Sequence, residues 1–273
     1  MGTRTARAAR RRGHFVALAV VLALHGRGLD AQVAVDELEL HVVLRPGATS
    51  LTQTFHAANT ANSPANATIA LQDWDRSEGG ENRYYPLGTL PSSCGSHVTV
   101  LPSVLFIDAR SAQTVRVTID SADAIPRGCY TILFVETPPS TRGPSASGLA
   151  YSVRYGIKLY VERETPPTGE VTAVSIERRG GGSAESDGGR QLTFAFHNSG
   201  GRQTMTHGSV EVRRLDDSVA AKIDVPEFPT LPGATRRLAV PLPTLPKGRY
   251  VLLALLDYGG QEIAAGQVSL EVP

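Results

Sequence analysis

The sequence predicts an all-β chain folded as two β-sandwich domains, on three observations. Short apolar–polar alternations recur along the chain, turn residues separate them, and no long stretch places apolar residues at helical spacing. Glycine and proline are frequent, at 27 and 18 residues, which suits many short strands joined by tight turns. A length of 273 residues with 41% hydrophobic content is enough for two domains with cores of their own. The formal net charge of +1, with no basic stripe interleaved with aromatics, argues against nucleic acid as a partner.

The first residues stand apart from this pattern. Arg4, Arg7, Arg10, Arg11 and Arg12 precede the apolar run 15–24, the arrangement of a secretory signal peptide. The run is about half the ~20 residues that a spanning helix requires. Ala31 offers a small residue for cleavage before Gln32, although Leu29 fits poorly two positions earlier; a retained anchor is the alternative. Residues 1–31 are therefore read as a signal peptide and the mature protein as exported, without a membrane span. The residues after the paired arginines match a twin-arginine signal weakly, which favours the general export route. Cys94 and Cys129 both lie in the exported part, and an even pair in an oxidising compartment predicts a disulfide. Such a bridge would staple a loop to the strand that Cys129 opens, the alternative being two buried free thiols.

Within the first domain, Leu38, Leu40, Val42 and Leu44 alternate up to the turn Arg45-Pro46-Gly47, and 51–57 is the return strand. The Asn-, Ser- and Pro-rich stretch 59–66 reads as a loop before a strand over 68–74. Trp74 ends that alternating run and is read as a core residue between two sheets rather than a ligand platform. Asp73, Asp75, Ser77 and Glu78 lack the glycine at the sixth position and the glutamate at the twelfth that a calcium loop needs, so no metal is assigned. Tyr84-Tyr85, 98–100, 104–107 and 114–119 are further strand-like pieces, with Pro102 and the polar turn 108–113 between the last three. Pro126-Arg127-Gly128 turns the chain into the strand 129–135.

A Pro/Ser/Gly-rich segment, 138–147, then leads into 149–161, where every odd position is apolar or aromatic: Leu149, Tyr151, Val153, Tyr155, Ile157, Leu159 and Val161. This period of two describes a strand with one apolar face. At a rise of ~3.3 Å per residue it would be about 43 Å long, against about 17–20 Å for a common strand. Neighbours inside its own domain would cover the whole row if the strand were purely internal. One sandwich core reaches only part of such a length, and the sharper reading gives the first half to another molecule. An unpartnered apolar edge also predicts self-association through this strand.

Pro166-Pro167-Thr168-Gly169 closes the first domain, because Pro-Pro cannot join a central ladder. The division expected is 32–165 and 166–273. Strand-like runs follow at 171–176, 192–196, 210–212, 220–225, 237–242, 250–256 and 268–272, with a hairpin tip at 180–189 and turns at 198–201, 231–233 and 245–248. Seven short strands at this spacing suggest an immunoglobulin-like sandwich. The order of turns in the two halves is similar, without a residue-level repeat.

Catalytic motifs are missing. The nearest approach to a nucleophile elbow, Gly143-Pro144-Ser145-Ala146-Ser147, lacks the final glycine. There is no His-Glu-x-x-His, phosphate loop or dinucleotide fingerprint. His41, His56, His97, His197 and His207 are dispersed, none with another at metal-ligand spacing. No catalytic residue, metal or cofactor is assigned, and the chain is expected not to be an enzyme unless a constellation assembles only in three dimensions.

The order of these features resembles the PapD-like periplasmic chaperones of pilus (fimbrium) assembly, which have two immunoglobulin-like domains set at an angle. The resemblance covers most of the mature chain. It is carried by the alternating strand ending Tyr155-Gly156-Ile157-Lys158-Leu159-Tyr160, the variable loop before it, and Leu256-Asp257-Tyr258-Gly259-Gly260 in the second domain. It implies a periplasmic location and donor-strand complementation, in which the long strand completes a pilin-like or other β-sandwich subunit that lacks its final strand. Carried over by position, Leu149, Tyr151 and Val153 are the donor residues. Lys158 matches the lysine that binds the subunit's terminal carboxylate in the interdomain cleft. Its arginine partner in the family is matched by His41, and a neutral imidazole does not reproduce the charged, bidentate guanidinium fork. The rival reading is an exported structural or adhesive module whose long strand is covered internally.

Overall fold

The computed structural model describes residues 33–120, 124–125, 128–139, 152–178 and 189–273. The expected signal peptide, most of the hairpin tip at 180–189, and Leu149 and Tyr151 lie outside the described residues. Seventeen strands follow one another, and among the described residues there is no α-helix, hence none long and apolar enough to cross a membrane. In the first half these are β1 (Val33–Val35), β2 (Glu39–Leu44), β3 (Ser50–Asn59), β4 (Ala65–Arg76), β5 (Asn82–Pro86), β6 (Val98–Leu101), β7 (Val104–Ile107), β8 (Ala112–Asp120), β9 (Cys129–Glu136) and β10 (Arg154–Arg163). The second half holds β11 (Gly169–Arg178), β12 (Arg190–Asn198), β13 (Thr204–Arg214), β14 (Val219–Thr230), β15 (Thr235–Pro241), β16 (Gly248–Asp257) and β17 (Ala264–Val272). The fold is all-β, with two immunoglobulin-like sandwiches.

In the first sandwich a sheet ordered β1-β3-β8-β6 faces one ordered β2-β10-β9-β4-β5, with β7 also paired to β4. The alternation read from the sequence sets which side chains meet. Phe55, Val115, Val117 and Ile119 from the first sheet pack against Leu40, Val42, Leu133, Ile157, Leu159 and Val161 from the second. Each fully buried side chain of this kind contributes about 1.5–3 kcal/mol. The odd-numbered face of β10 is thus spent on its own core from Ile157 onward, with Tyr155 half-buried beside it.

The second sandwich packs β11-β12-β15 against β14-β13-β16-β17, with Leu192, Phe194 and Phe196 opposite Val210, Val212, Leu252, Ala254 and Leu256. Gly208 sits where the register of β13 against β14 shifts. A Cβ there would lie 2.0 Å from the Leu255 carbonyl oxygen, so only glycine lets β13 and β16 approach this closely.

The two halves share a residue-level device that the sequence reading did not find. Asn59 at the end of β3 is buried; its Nδ2 donates to the carbonyls of Ser63, Ile107 and Asp108, and its Oδ1 accepts from Ala61 N. Asn198 at the end of β12 is buried alike, donating to the carbonyls of Arg202 and Thr230 and accepting from Gly200 N. In each domain one buried amide fills the hydrogen-bond needs of a turn that closes the sandwich.

Cys94 and Cys129 are bonded, with their Cα atoms 5.0 Å apart. The loop after β5 is thereby fixed to the first residue of β9, as its sequence position predicted, and Tyr130 N donates to Ser92 O alongside the bridge.

Candidate binding edge and interdomain cleft

β9 reads Cys-Tyr-Thr-Ile-Leu-Phe-Val, an apolar run broken only by a threonine, and such a run is buried on both faces. Cys129, Leu133 and Val135 enter the sandwich core. Tyr130, Ile132 and Phe134 point the other way and form a second apolar layer with Trp74 of β4 and Tyr160 of β10, closed by Leu231 from the β14–β15 turn of the second domain. This corrects the placement of Trp74. It is fully buried, but Ala65, Ala67, Ile69 and Leu71 are the β4 residues that face the core, so the even-numbered Trp74 lies between the domains and not between two sheets. Tyr160 meets the indole edge-on, with ring centroids 5.6 Å apart.

Lys158 shares this outer face. β2 runs parallel to β10 in a register that places Glu39 opposite Lys158 and His41 opposite Tyr160. Lys158 Nζ lies 3.7 Å from Glu39 Oε1 and 5.0 Å from the centre of the Trp74 ring. The His41 ring stacks flat on Tyr160, with centroids 4.6 Å apart, and its Nε2 is 3.5 Å from Glu39 Oε2. Lys158 and His41 therefore flank one carboxylate. Burial holds the Lys158 ammonium below its usual pKa, the Arg76 guanidinium pushes it further down, and Glu39 opposes both. Burial, then Glu39, raises the Tyr160 phenol, which stays a neutral donor to Glu39.

Arg76 was not singled out from the sequence. The signal was its place two residues after Trp74, which on a strand puts both on one face. Its Cζ is 5.8 Å from the centre of the Trp74 ring. A third cation enters from the other domain: Arg236 of β15 donates from Nη1 to the Glu78 carbonyl at 2.5 Å, and Arg237 N donates to the same oxygen at 2.9 Å. Gly80, at a φ of +100°, makes room for this, since a Cβ there would lie 2.5 Å from Arg236 Nη2. Glu162 of β10 adds a further tie, accepting from Gln203 N at 2.6 Å.

Among the described residues, the start of β10 has one open side. β9 pairs with β10 from Arg154 onward, whereas β2 joins only at Lys158. Among the described residues no strand pairs with Arg154–Ile157 on that side. Val153 extends the open stretch: it is half-buried, its N donates to Thr137 Oγ1 and its carbonyl accepts from Thr137 N. Leu38, 58% exposed, lies at the point where β2 meets β10, and its carbonyl accepts from Lys158 N.

No family model and no curated protein matches the chain by sequence. Solved structures do match by fold. A chain from the chaperone–tip adhesin complex of CFA/I fimbriae biogenesis aligns over 89% of this chain and 100% of its own, at 11% identity and a TM-score of 0.50. The class 5 fimbriae chaperone CfaA aligns over 88% of this chain and 99% of its own, at 9% identity and the same TM-score of 0.50. The CsuC–CsuE chaperone–tip adhesion subunit complex of Acinetobacter baumannii gives 13% identity and a TM-score of 0.46. The chain thus has the two-sandwich fold of the class 5 fimbrial chaperone, over nearly the whole length of both proteins.

Proposed function

We propose that the protein is a periplasmic, non-enzymatic chaperone of the PapD-like kind, which caps incomplete β-sandwich subunits by donating a strand during assembly of a pilus or another surface structure. The observation that carries this reading is that, among the described residues, no strand pairs with the side of β10 opposite β9 at Arg154–Ile157, just after the apolar row Leu149, Tyr151 and Val153 in the sequence. A strand edge without a partner offers unpaired N–H and C=O groups to an incoming chain, and alternate side chains supply its specificity. The shared fold with a fimbrial chaperone supports the same reading, and the Cys94–Cys129 bridge suits an oxidising compartment. Lys158 and His41, on the face beside that edge, are proposed to meet the client's end, and the boundary between the domains is proposed at 165/166.

The test is co-expression with a β-sandwich subunit lacking its final strand. A one-to-one complex is expected, with the amides of Arg154 and Gly156, which point away from β9, protected from hydrogen exchange in the complex and exchanging freely in the free protein. A subunit that stays soluble alone, or a complex that leaves those amides unprotected, would contradict strand addition.

A further inference from the structure

We propose that Thr137 is the positioning residue of the strand-adding edge: its hydroxyl, standing where a ladder carbonyl would stand, fixes the first residues of β10 so that Arg154 and Gly156 hold their outward N–H and C=O groups ready for an incoming chain. The proposal rests on the strand-addition reading and adds to it the residue that sets the edge.

The pairing of β9 with β10 changes character at Thr137, directly after β9. Thr137 N donates to the Val153 carbonyl at 3.0 Å, as in a regular antiparallel pair. The return bond does not go to the Thr137 carbonyl. Val153 N donates instead to Thr137 Oγ1 at 3.1 Å, and the same hydroxyl reaches the Val153 carbonyl at 3.4 Å. The Thr137 carbonyl, released from the ladder, accepts from Ser152 Oγ at 2.6 Å. Thr137 therefore holds Ser152 and Val153 with its backbone and its side chain together.

The residues that follow make this the last hold on that side. Bonding positions alternate along an antiparallel pair, so after Val135 with Tyr155 and Thr137 with Val153 the next is residue 139. Residues 138 and 139 are both proline and have no N–H to give. A strand whose grip ends this abruptly frays from its end unless its last pair is reinforced, and the Thr137 hydroxyl supplies the reinforcement.

Arg154 leaves the edge clear. Its Cζ lies 3.5 Å from the centre of the Phe134 ring and its Nε 3.6 Å from Glu136 Oε2, so the side chain is folded over β9. A charged side chain on an edge strand ordinarily obstructs pairing, and here it is held away from the open side. The phase is fixed as well. A slip of one residue would reverse every side chain of β10, and the hold on Val153 together with the buried Ile157 sets the same phase at two points. An edge set in advance binds more tightly than a frayed one, because each residue ordered on binding lowers affinity about tenfold.

Thr137→Val removes the hydroxyl and keeps the shape, whereas Thr137→Ser keeps the hydroxyl. Two readouts are taken on the mature protein: hydrogen exchange of the Val153 amide in the free protein, and affinity for a β-sandwich subunit lacking its final strand, refolded from denaturant in the protein's presence. Thr137→Val is expected to exchange that amide about tenfold faster than the wild type and to bind the subunit about tenfold more weakly, with a melting temperature within a few degrees. Thr137→Ser should match the wild type within about twofold in both readouts. A threonine with only a structural role would move the melting temperature and leave the affinity of the folded protein unchanged. Unchanged Val153 exchange in Thr137→Val, subunit affinity within about twofold of the wild type, a strongly lowered melting temperature, or a Thr137→Ser that fails as Thr137→Val does would each overturn the proposal. A wild type that captures the subunit beside an unaffected Thr137→Val sinks this role alone and leaves strand addition standing. A wild type that captures no subunit removes the strand-addition reading and this role with it.

Discussion

Trp74→Ala is expected to cost about 3–5 kcal/mol, the range for emptying a large buried aromatic site. That is a large share of the ~5–15 kcal/mol that holds a domain together. The indole is fully buried among Tyr130, Ile132, Phe134, Tyr160 and Leu231, and only Leu231 comes from the second domain. Removing the ring therefore hollows the outer face of the first sandwich and withdraws the surface that Leu231 rests on. Calorimetry should resolve two transitions where the wild type gives one, with the first-domain transition moved furthest. Phe55→Ala serves as the comparison, because Phe55 is equally buried but lies inside the first core. It should destabilise without separating the domains. A Trp74→Ala protein that melts in one transition within a degree or two of the wild type would contradict the role of this layer.

Breaking the Cys94–Cys129 bond is expected to lower stability by about 4 kcal/mol, the loop-entropy value for a separation of 35 residues. Both cysteines are buried, and the bridge holds the chain after β5 against β9, where Asp73 also accepts from Leu90 N and from Ser93 Oγ. The Cys94→Ala, Cys129→Ala double variant should show a lower urea midpoint than the oxidised wild type, and reductant should shift the wild type but not the variant. Equal midpoints with and without reductant would show that the cross-link contributes nothing to folding.

The fold was legible because most strands carry strict alternation. β2, β8 and β10 each place their alternate apolar positions in the core as the pattern required. Element ends were less so. β4 begins at Ala65, inside the stretch read as loop, because β7 pairs with Ala65–Thr68 whatever their polarity. β13 begins at Thr204, well before the apolar run 210–212, since Thr204 and Thr206 are buried threonines that a hydrophobic pattern does not register and Met205 between them is exposed. The interdomain cleft was half legible. Lys158 and His41 were proposed through a resemblance along the chain, whereas Arg76 and Arg236 lie 160 positions apart and influence each other only because Leu231 and the Glu78–Gly80 turn bring two sheets together. Trp74 was read as core for the same reason: burial was foreseeable from its type, but which of two apolar layers it joins is a tertiary fact.

Whether the apolar row before β10 serves another molecule is tested most directly by Tyr151→Glu. If Tyr151 belonged to its own domain's core, the substitution would bury an unpaired carboxylate and cost several kcal/mol. If the row awaits a client, the free protein should fold and melt like the wild type, lose any concentration-dependent dimer formed through this strand, and fail to retain a β-sandwich subunit that lacks its final strand. The deciding measurement is the melting temperature of the free variant together with its recovery of that subunit. An unchanged melting temperature with the subunit lost is expected if the row serves a client, and an unfolded or strongly destabilised variant would contradict that role.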